Sequence, residues 1–123
     1  MAKSILIADD NTAVRKMMRI SFEARSVLQV CGEAVDGQDA IEKAQQLHPD
    51  LIVLDLSMPR MNGFEAARRL RPLMPNVPII LFTSHKSVIK EADAHAIGID
   101  AVVSKSDDMD VLLANAQMLL ERN

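Results

Sequence analysis

The sequence predicts an α/β domain built on a five-stranded parallel sheet, in the order 2-1-3-4-5, with helices on both faces. Five short apolar runs alternate with longer stretches in which apolar residues recur at helical spacing. The runs are continuously apolar, which is typical of parallel strands that are buried on both faces. A chain of 123 residues is too short for an eight-stranded barrel of about 250 residues, so an open sheet with right-handed crossovers is favoured.

The first half of the chain carries two strand–helix units. Residues 4–8 and 27–31 are apolar runs that predict the first two strands. Asn11 and Asp36 follow these runs and can cap the helices that come next. Pro49 ends the second helix, because the residue before a proline is disfavoured in helical geometry.

The second half continues the same alternation. Apolar runs predict the remaining strands at residues 51–54, 79–82 and 101–103. Asn62 and Glu65 have the spacing of a capping box at the start of the third helix. Ser106 precedes the last helix, whose first turn is acidic, as suits a helix N-terminus. The complete order is that of a flavodoxin-like, doubly wound domain.

Composition and charge restrict the classes of function. The chain has 14 Lys+Arg against 17 Asp+Glu and a net charge of -3, which argues against direct binding to nucleic acid or to an anionic membrane. The single cysteine, Cys31, excludes an internal disulfide and a cysteine-cluster metal site. The apolar runs are too short to span a membrane, and no signal peptide is evident. We expect one domain over residues 1–123, located in the cytoplasm.

Polar side chains follow four of the five predicted strands. In chain order they are Asp9 and Asp10, Asp55, Thr83 and Ser84, and Lys105. The carboxyl ends of parallel strands meet at one edge of the sheet. In the 2-1-3-4-5 order the winding reverses between the first and third strands, and ligands bind in the crevice at that point. We therefore expect these side chains to converge.

The chemistry of this group predicts phosphoryl transfer to an aspartate. Three carboxylates form an all-oxygen site that suits Mg²⁺ and fits Zn²⁺ poorly. An aspartate ionises near pH ~4 and is already a nucleophile at neutral pH. A lysine and a hydroxyl group can bind the oxygens of an incoming phosphoryl group. One aspartate alone could be a helix cap, and one lysine alone could be solvated, but the convergence of four strand ends favours a site.

Two segments carry a resemblance to response-regulator receiver domains. Residues 5–10, ILIADD, resemble the first strand and acidic pair of that family. Residues 51–63, LIVLDLSMPRMNG, resemble its third strand, phosphoacceptor and following loop. Thr83 and Lys105 occupy the remaining two positions of the family pattern. The resemblance covers essentially the whole chain.

The resemblance implies a phosphorylation-dependent switch of two-component signalling, and not a conventional enzyme. Asp55 would accept a phosphoryl group from a sensor histidine kinase or a phosphotransfer protein, and Lys105 and Thr83 would bind the phosphoryl oxygens. The partners would be that kinase and a downstream effector or an attached output domain, with the receiver itself a monomer or weak homodimer. By the same resemblance, Mg²⁺ would be held by the following groups: the Asp10 and Asp55 carboxylates and the Ser57 carbonyl, with Asp9 assisting.

Several positions distinguish this chain within the family pattern. Residues 32–34 and 64–70 resemble the corresponding segments of receivers that are attached to helix-turn-helix DNA-binding output domains. Ser106 follows the lysine where most receivers have a proline, a departure shared by that subgroup. Val102 occupies the position of a tyrosine or phenylalanine that repositions on activation. Because valine is short and stiff at χ1, the sequence predicts a weak response of the usual output surface.

Two alternative functions differ from this one in what they require of the site. A phosphatase with an aspartyl nucleophile would need a second aspartate two residues after Asp55, where this chain has Ser57. A degenerate receiver, acting as a phosphorylation-independent interaction module, stays open as the alternative, although the complete set of site residues disfavours it. The basic residues of the first helix, Arg15, Lys16 and Arg19, are interpreted as a solvated face.

Overall fold

The computed structural model describes residues 2–122, which form the predicted parallel sheet in the order β2-β1-β3-β4-β5. The strands are β1 (Ser4–Ala8), β2 (Gln29–Ala34), β3 (Leu51–Leu54), β4 (Ile79–Thr83) and β5 (Ala101–Ser104). The helices are α1 (Thr12–Arg25), α2 (Gly37–Leu47), α3 (Gly63–Leu73), α4 (Glu91–Ala96) and α5 (Met109–Glu121). A 3-10 turn at Lys86–Val88 precedes α4.

Three of the predicted helix caps are confirmed. The side chains of Asn11, Asp36 and Asn62 accept hydrogen bonds from backbone amides in the first turns of α1, α2 and α3. Their donors are Val14 (3.1 Å), Asp39 (2.8 Å) and Glu65 (2.9 Å), respectively. Each cap satisfies an amide that has no partner within its helix. These caps fix where the helices leave the carboxyl edge of the sheet.

The bounds of β2 and the cap of α5 differ most from the sequence-based expectation. Strand β2 ends at Ala34 and not at residue 31, and β4 and β5 each end one residue later than predicted. The second strand begins at Gln29 and not at residue 27, and Val27 is 81% exposed. Ser26 makes a turn there, because its hydroxyl oxygen accepts the amide of Leu28 at 3.1 Å. The cap of α5 is Asp108, which accepts the amide of Asp110 at 2.9 Å, whereas Ser106 lies in the preceding turn.

The hydrophobic core lies in two layers, one on each face of the sheet. Successive residues of β1 alternate between them: Ile5 and Ile7 pack on the α1 and α5 side, and Leu6 and Ala8 on the α2 and α3 side. Strands β3 and β4 are buried along their whole lengths. This two-sided burial explains their uninterrupted apolar sequences. Among the described helices, none has both the length and the apolar character needed to cross a membrane.

Candidate functional site

Three carboxylates meet where β1 and β3 end. Asp9, Asp10 and Asp55 each place one carboxylate oxygen within 4.8 Å of the other two. Parallel pairing of β1 with its neighbours brings them together, since the amide of Asp55 donates to the carbonyl of Ala8 at 2.9 Å. The amide of Asp9 in turn donates to the carbonyl of Ala34 at 3.0 Å. The predicted convergence of the three carboxylates is therefore present in the structure.

Lys105 supplies a cation to this group of acids. Its Nζ lies 2.6 Å from Asp9 Oδ2 and 3.1 Å from Asp55 Oδ1. The lysine is anchored through its backbone, whose amide donates to the carbonyl of Thr83 at 2.8 Å, and its ammonium group lies 5.9 Å from the centroid of the Phe82 ring. Burial opposes the charged ammonium group, but the hydrogen bonds and negative charges of Asp9 and Asp55 together outweigh burial and raise the pKa of Lys105. Lys105 is thus held in its charged form.

Asp9 and Asp10 have different surroundings although they are adjacent. Asp9 is fully buried, and both of its carboxylate oxygens are engaged, one by Lys105 and the other by the amide of Asn11 at 2.8 Å. Asp10 is exposed, and the structure shows no hydrogen bond or ion pair for its side chain within residues 2–122. The cap of α1 is Asn11, so Asp10 has no capping role. Its carboxylate is free to bind a ligand.

Asp55 is a buried carboxylate with opposing influences on its charge. Burial, reinforced by the negative charge of Asp9, raises the pKa of Asp55, while Lys105 and the backbone amide of Ser57 act in the opposite direction. The net shift is upward. A raised pKa means that the folded protein is less stable when Asp55 is ionised than when Asp55 is protonated.

This shift predicts a pH-dependent gain of stability in Asp55→Asn. The folded-state pKa of Asp55 lies above the unfolded value of about 3.9, so the parent loses stability as the pH rises from that value through the folded-state pKa. Asparagine does not titrate. Without divalent cations, we expect Asp55→Asn to be more stable than the parent at neutral pH, and the difference to shrink on acidification through this window. Urea unfolding monitored by circular dichroism measures it, and a difference that did not change with pH would contradict the assignment.

Thr83 lies at the end of β4, next to the strand that leads to Lys105. Its side chain is fully buried, and its hydroxyl oxygen accepts the amide of His85 at 3.0 Å. This bond orients the hydroxyl group and leaves its hydrogen available for donation. The neighbouring Ser84 and His85 are both exposed. Thr83 therefore presents a buried and oriented hydroxyl group at this edge.

The loop after Asp55 is held close to the end of β3. The amide of Gly63 donates to the carbonyl of Leu56 at 2.9 Å. A Cβ atom on Gly63 would come 2.3 Å from the carbonyl oxygen of Asp55, so only glycine permits this approach of α3. Ser57, at the start of the loop, is exposed, and its backbone amide partly counters the rise in the pKa of Asp55.

Arg60 ties the middle of this loop to α2. It adopts a left-handed conformation, with φ 64°. From there its Nη2 lies 2.7 Å from Asp36 Oδ2, and its Nε donates to the same oxygen at 2.8 Å. The amide of Gly37 donates to the carbonyl of Met61 at 3.0 Å. These contacts fix the path of the chain that presents Ser57.

The donor set fits a magnesium ion. The three carboxylates offer oxygen atoms alone, which Mg²⁺ prefers, and no histidine or cysteine joins them in the cluster that the described residues form. One cation, Lys105, contacts two of them, so the group retains an excess of negative charge. Asp10 is exposed at the mouth of the site, as a ligand open to a hydrated ion must be.

One further residue, Arg15, contacts the backbone of the site. Arg15, interpreted above as part of a solvated face, has a side chain only 12% exposed, and its Nη1 donates to the carbonyl oxygen of Asp9 at 2.7 Å. Arg15 is held in this position because its ion-pair partner Glu33 lies within β2. The predicted strand ended at residue 31, and a strand reaching Glu33 would have placed an acid beside α1.

Comparisons with known proteins agree with this geometry. The sequence model of the response regulator receiver domain family matches residues 5–117. The chain is 35% identical over 102 residues to the response regulator protein VraR of Staphylococcus saprophyticus, covering 83% of this chain and 49% of VraR. It is 36% identical over 98 residues to a protein-glutamate methylesterase/protein-glutamine glutaminase of Symbiobacterium thermophilum, covering 80% of this chain and 27% of that protein. It thus spans about half or less of these relatives.

Two solved structures of response regulators have the same fold as this chain. The crystal structure of a LuxR-family two-component response regulator from Aurantimonas has a TM-score of 0.89 and 29% sequence identity, and the match covers 100% of this chain and 88% of that one. The response regulator domain of Thermotoga maritima CheB also has a TM-score of 0.89, and at 23% identity it supports the fold alone. The family match, the fold and the acidic edge of the sheet lead to one conclusion: this chain belongs to the response regulator receiver domain family of two-component signalling.

Proposed function

We propose that Asp55 is the phosphoacceptor of this receiver domain. The observation that carries the proposal is a buried carboxylate at the switch point of the sheet, with Lys105 Nζ 3.1 Å from its Oδ1. A histidine kinase or phosphotransfer protein would donate the group. An oxygen of Asp55 attacks phosphorus as the phosphorus–nitrogen bond breaks, and the imidazole nitrogen keeps that electron pair. The phosphorylated state then acts as the signal.

The residues around Asp55 have separate parts in this reaction. Lys105, which is held in its charged form, attracts the phosphoryl oxygens and offsets the negative charge that the phosphoryl group brings to Asp55. Thr83 donates its hydroxyl hydrogen to one of those oxygens. Asp9 keeps Lys105 in position through their 2.6 Å contact. The site thereby orients the phosphoryl group, and no general base is needed for a carboxylate nucleophile.

We propose Mg²⁺ as the resident ion of the site. Asp10, Asp55 and the carbonyl of Ser57 would hold it, and Asp9 would assist. When bound, the ion supplies positive charge that neutralises phosphoryl oxygens in the transition state. The carboxylate cluster supports this assignment, and so does the loop geometry that presents Ser57.

The partners are proposed on the chemistry and on the relatives. A kinase or phosphotransfer protein carrying a phosphohistidine is the expected donor. The relatives are longer than this chain and are described as a response regulator protein and as a methylesterase/glutaminase. A downstream effector, or an output domain attached to this receiver, is therefore the proposed recipient of the signal. We place this signalling in the cytoplasm, with the receiver a monomer or weak homodimer over residues 1–123.

Phosphorylation by a small donor tests the proposed function. The protein is incubated with acetyl phosphate, with Mg²⁺ or with excess chelator, and its intact mass is measured. We expect an increase of one phosphoryl group that requires Mg²⁺. If no adduct forms under either condition with fresh donor, the domain is a phosphorylation-independent interaction module.

Val102 predicts a small conformational response at β5. Its side chain is buried in the layer that includes Ala94 of α4, and it pairs with Leu81 across the sheet. A β-branched side chain is restricted at χ1, and valine is too short to move between a buried and an exposed position, so phosphorylation should change its surroundings little. We expect the Val102 methyl resonances to move less than those of Val53 on β3 when the protein is phosphorylated. Larger shifts at Val102 would contradict this prediction.

A further inference from the structure

Arg15 connects the backbone of Asp9, at the carboxyl edge of the sheet, to the side chain of Glu33 in β2. From the first turns of α1, its Nε lies 3.0 Å from Glu33 Oε1 and its Nη1 donates to the carbonyl oxygen of Asp9 at 2.7 Å. Its Nη2 donates to the hydroxyl oxygen of Thr12 at 3.3 Å. One nearly buried guanidinium group therefore joins a strand, a helix and the backbone of the site.

We propose that Arg15 is a positioning residue that orients the Asp10 carboxylate through the backbone. The peptide between Asp9 and Asp10 is planar, so a hydrogen bond that fixes the carbonyl oxygen of Asp9 also fixes the plane of the Asp10 amide. Asp10 has no side-chain partner of its own among residues 2–122. Its direction therefore depends on this peptide. The inference rests on the proposed function, in which Asp10 binds Mg²⁺.

Several cationic groups hold Glu33, the ion-pair partner of Arg15, in place. It also accepts a hydrogen bond from Arg19 Nε at 2.7 Å, and Lys43 Nζ donates to its backbone carbonyl. Burial opposes the ionised carboxylate of Glu33, but the bonds from Arg19 and Arg15 outweigh it and lower the pKa of Glu33. An ionised acid near the carboxyl end of β2 thus holds the guanidinium group of Arg15 in place.

Arg19 provides a matched control. It shares the Glu33 carboxylate with Arg15 and lies one turn further along α1. Its other contacts are the carbonyl of Val30 and the carboxylate of Glu23, and it does not contact Asp9. Removal of either arginine costs an ion pair to Glu33, but only removal of Arg15 releases the backbone of the site.

The proposal is tested by Mg²⁺ titration calorimetry on the parent, Arg15→Met, Arg15→Lys and Arg19→Met. Removing a group that hydrogen-bonds to a metal ligand typically weakens metal binding by about 10–100-fold. We expect Arg15→Met to weaken Mg²⁺ binding by at least about 10-fold. Arg19→Met should bind as the parent does. Arg15→Lys should be intermediate, because an ammonium group cannot reproduce the forked contact. Equal affinities in Arg15→Met and Arg19→Met would overturn the proposal.

Amide hydrogen exchange without metal separates this inference from the proposed function. The amide of Asn11 donates to Asp9 Oδ1, so a loosened Asp9 backbone should accelerate its exchange. We expect faster exchange at Asn11 in Arg15→Met but not in Arg19→Met, each measured relative to the Ile52 amide in β3. If the parent does not bind Mg²⁺, the proposed function fails, and this measurement alone decides the role of Arg15. Unchanged exchange at Asn11 in Arg15→Met would overturn it.

Discussion

Replacing Lys105 with methionine is expected to lower the free energy of unfolding by about 3 kcal/mol, the lower end of the range for breaking a buried ion pair by removing one partner. The Lys105 side chain is 18% exposed, while those of Asp9 and Asp55 are 1% and 7% exposed. Without the ammonium group, two buried carboxylates would face each other with no cation between them. Their repulsion and desolvation cause the loss.

A double-mutant cycle identifies the source of this loss. Adding Asp9→Asn to Lys105→Met removes one of the two charges, and it should restore much of the stability. The coupling between the two positions, measured by urea unfolding without divalent cations, should then be large. If the double variant lost as much free energy of unfolding as the two single variants lose together, the loss would come from packing of the lysine side chain and not from the carboxylates.

Replacing Asp10 with alanine should abolish Mg²⁺ binding and Mg²⁺-dependent phosphorylation. Loss of a direct ligand should exceed the roughly 10–100-fold effect of losing a hydrogen-bond partner of a ligand. The free energy of unfolding should stay the same or rise, because Asp10 is exposed and its removal relieves repulsion within the acidic cluster. Titration calorimetry and thermal unfolding measure both effects, and the absence of Trp and Tyr makes intrinsic fluorescence unsuitable.

Asn11→Ala is the control for this substitution. Asn11 caps α1, so its removal should cost about 1 kcal/mol of stability and leave Mg²⁺ affinity nearly unchanged. The two neighbouring substitutions should therefore affect different properties. An Asp10→Ala protein that lost stability as Asn11→Ala does, while still binding Mg²⁺, would show that Asp10 supports the helix and not the ion.

The sheet order and the acidic cluster could be predicted because both follow from local patterns. Uninterrupted apolar runs identify the strands, and parallel pairing brings the residues that follow them to one edge. The positions of Asp9, Asp55 and Lys105 at one edge could therefore be predicted without knowledge of tertiary contacts. The short helix α4 left a weak pattern, since among its six residues only Ala94 is buried.

The role of Arg15 could not be predicted because it depends on strand register. Val27 is apolar and suggested an early start for β2, but the turn at Ser26 shifts the strand towards Glu33. In the observed register Glu33 pairs with Ile7 of β1, close to the acidic edge. An error of a few residues in one strand thus concealed the partner of a buried arginine.

The identity of the phosphorylated residue tests the central claim most directly. The protein is treated with acetyl phosphate and Mg²⁺, the acyl phosphate is reduced with borohydride, and the resulting homoserine is located by tandem mass spectrometry of peptides. We predict homoserine at position 55 alone, and no conversion in Asp55→Ala. Conversion at Asp9 or Asp10 in the parent, or in Asp55→Ala to the same extent as in the parent, would contradict the assignment of Asp55 as the phosphoacceptor.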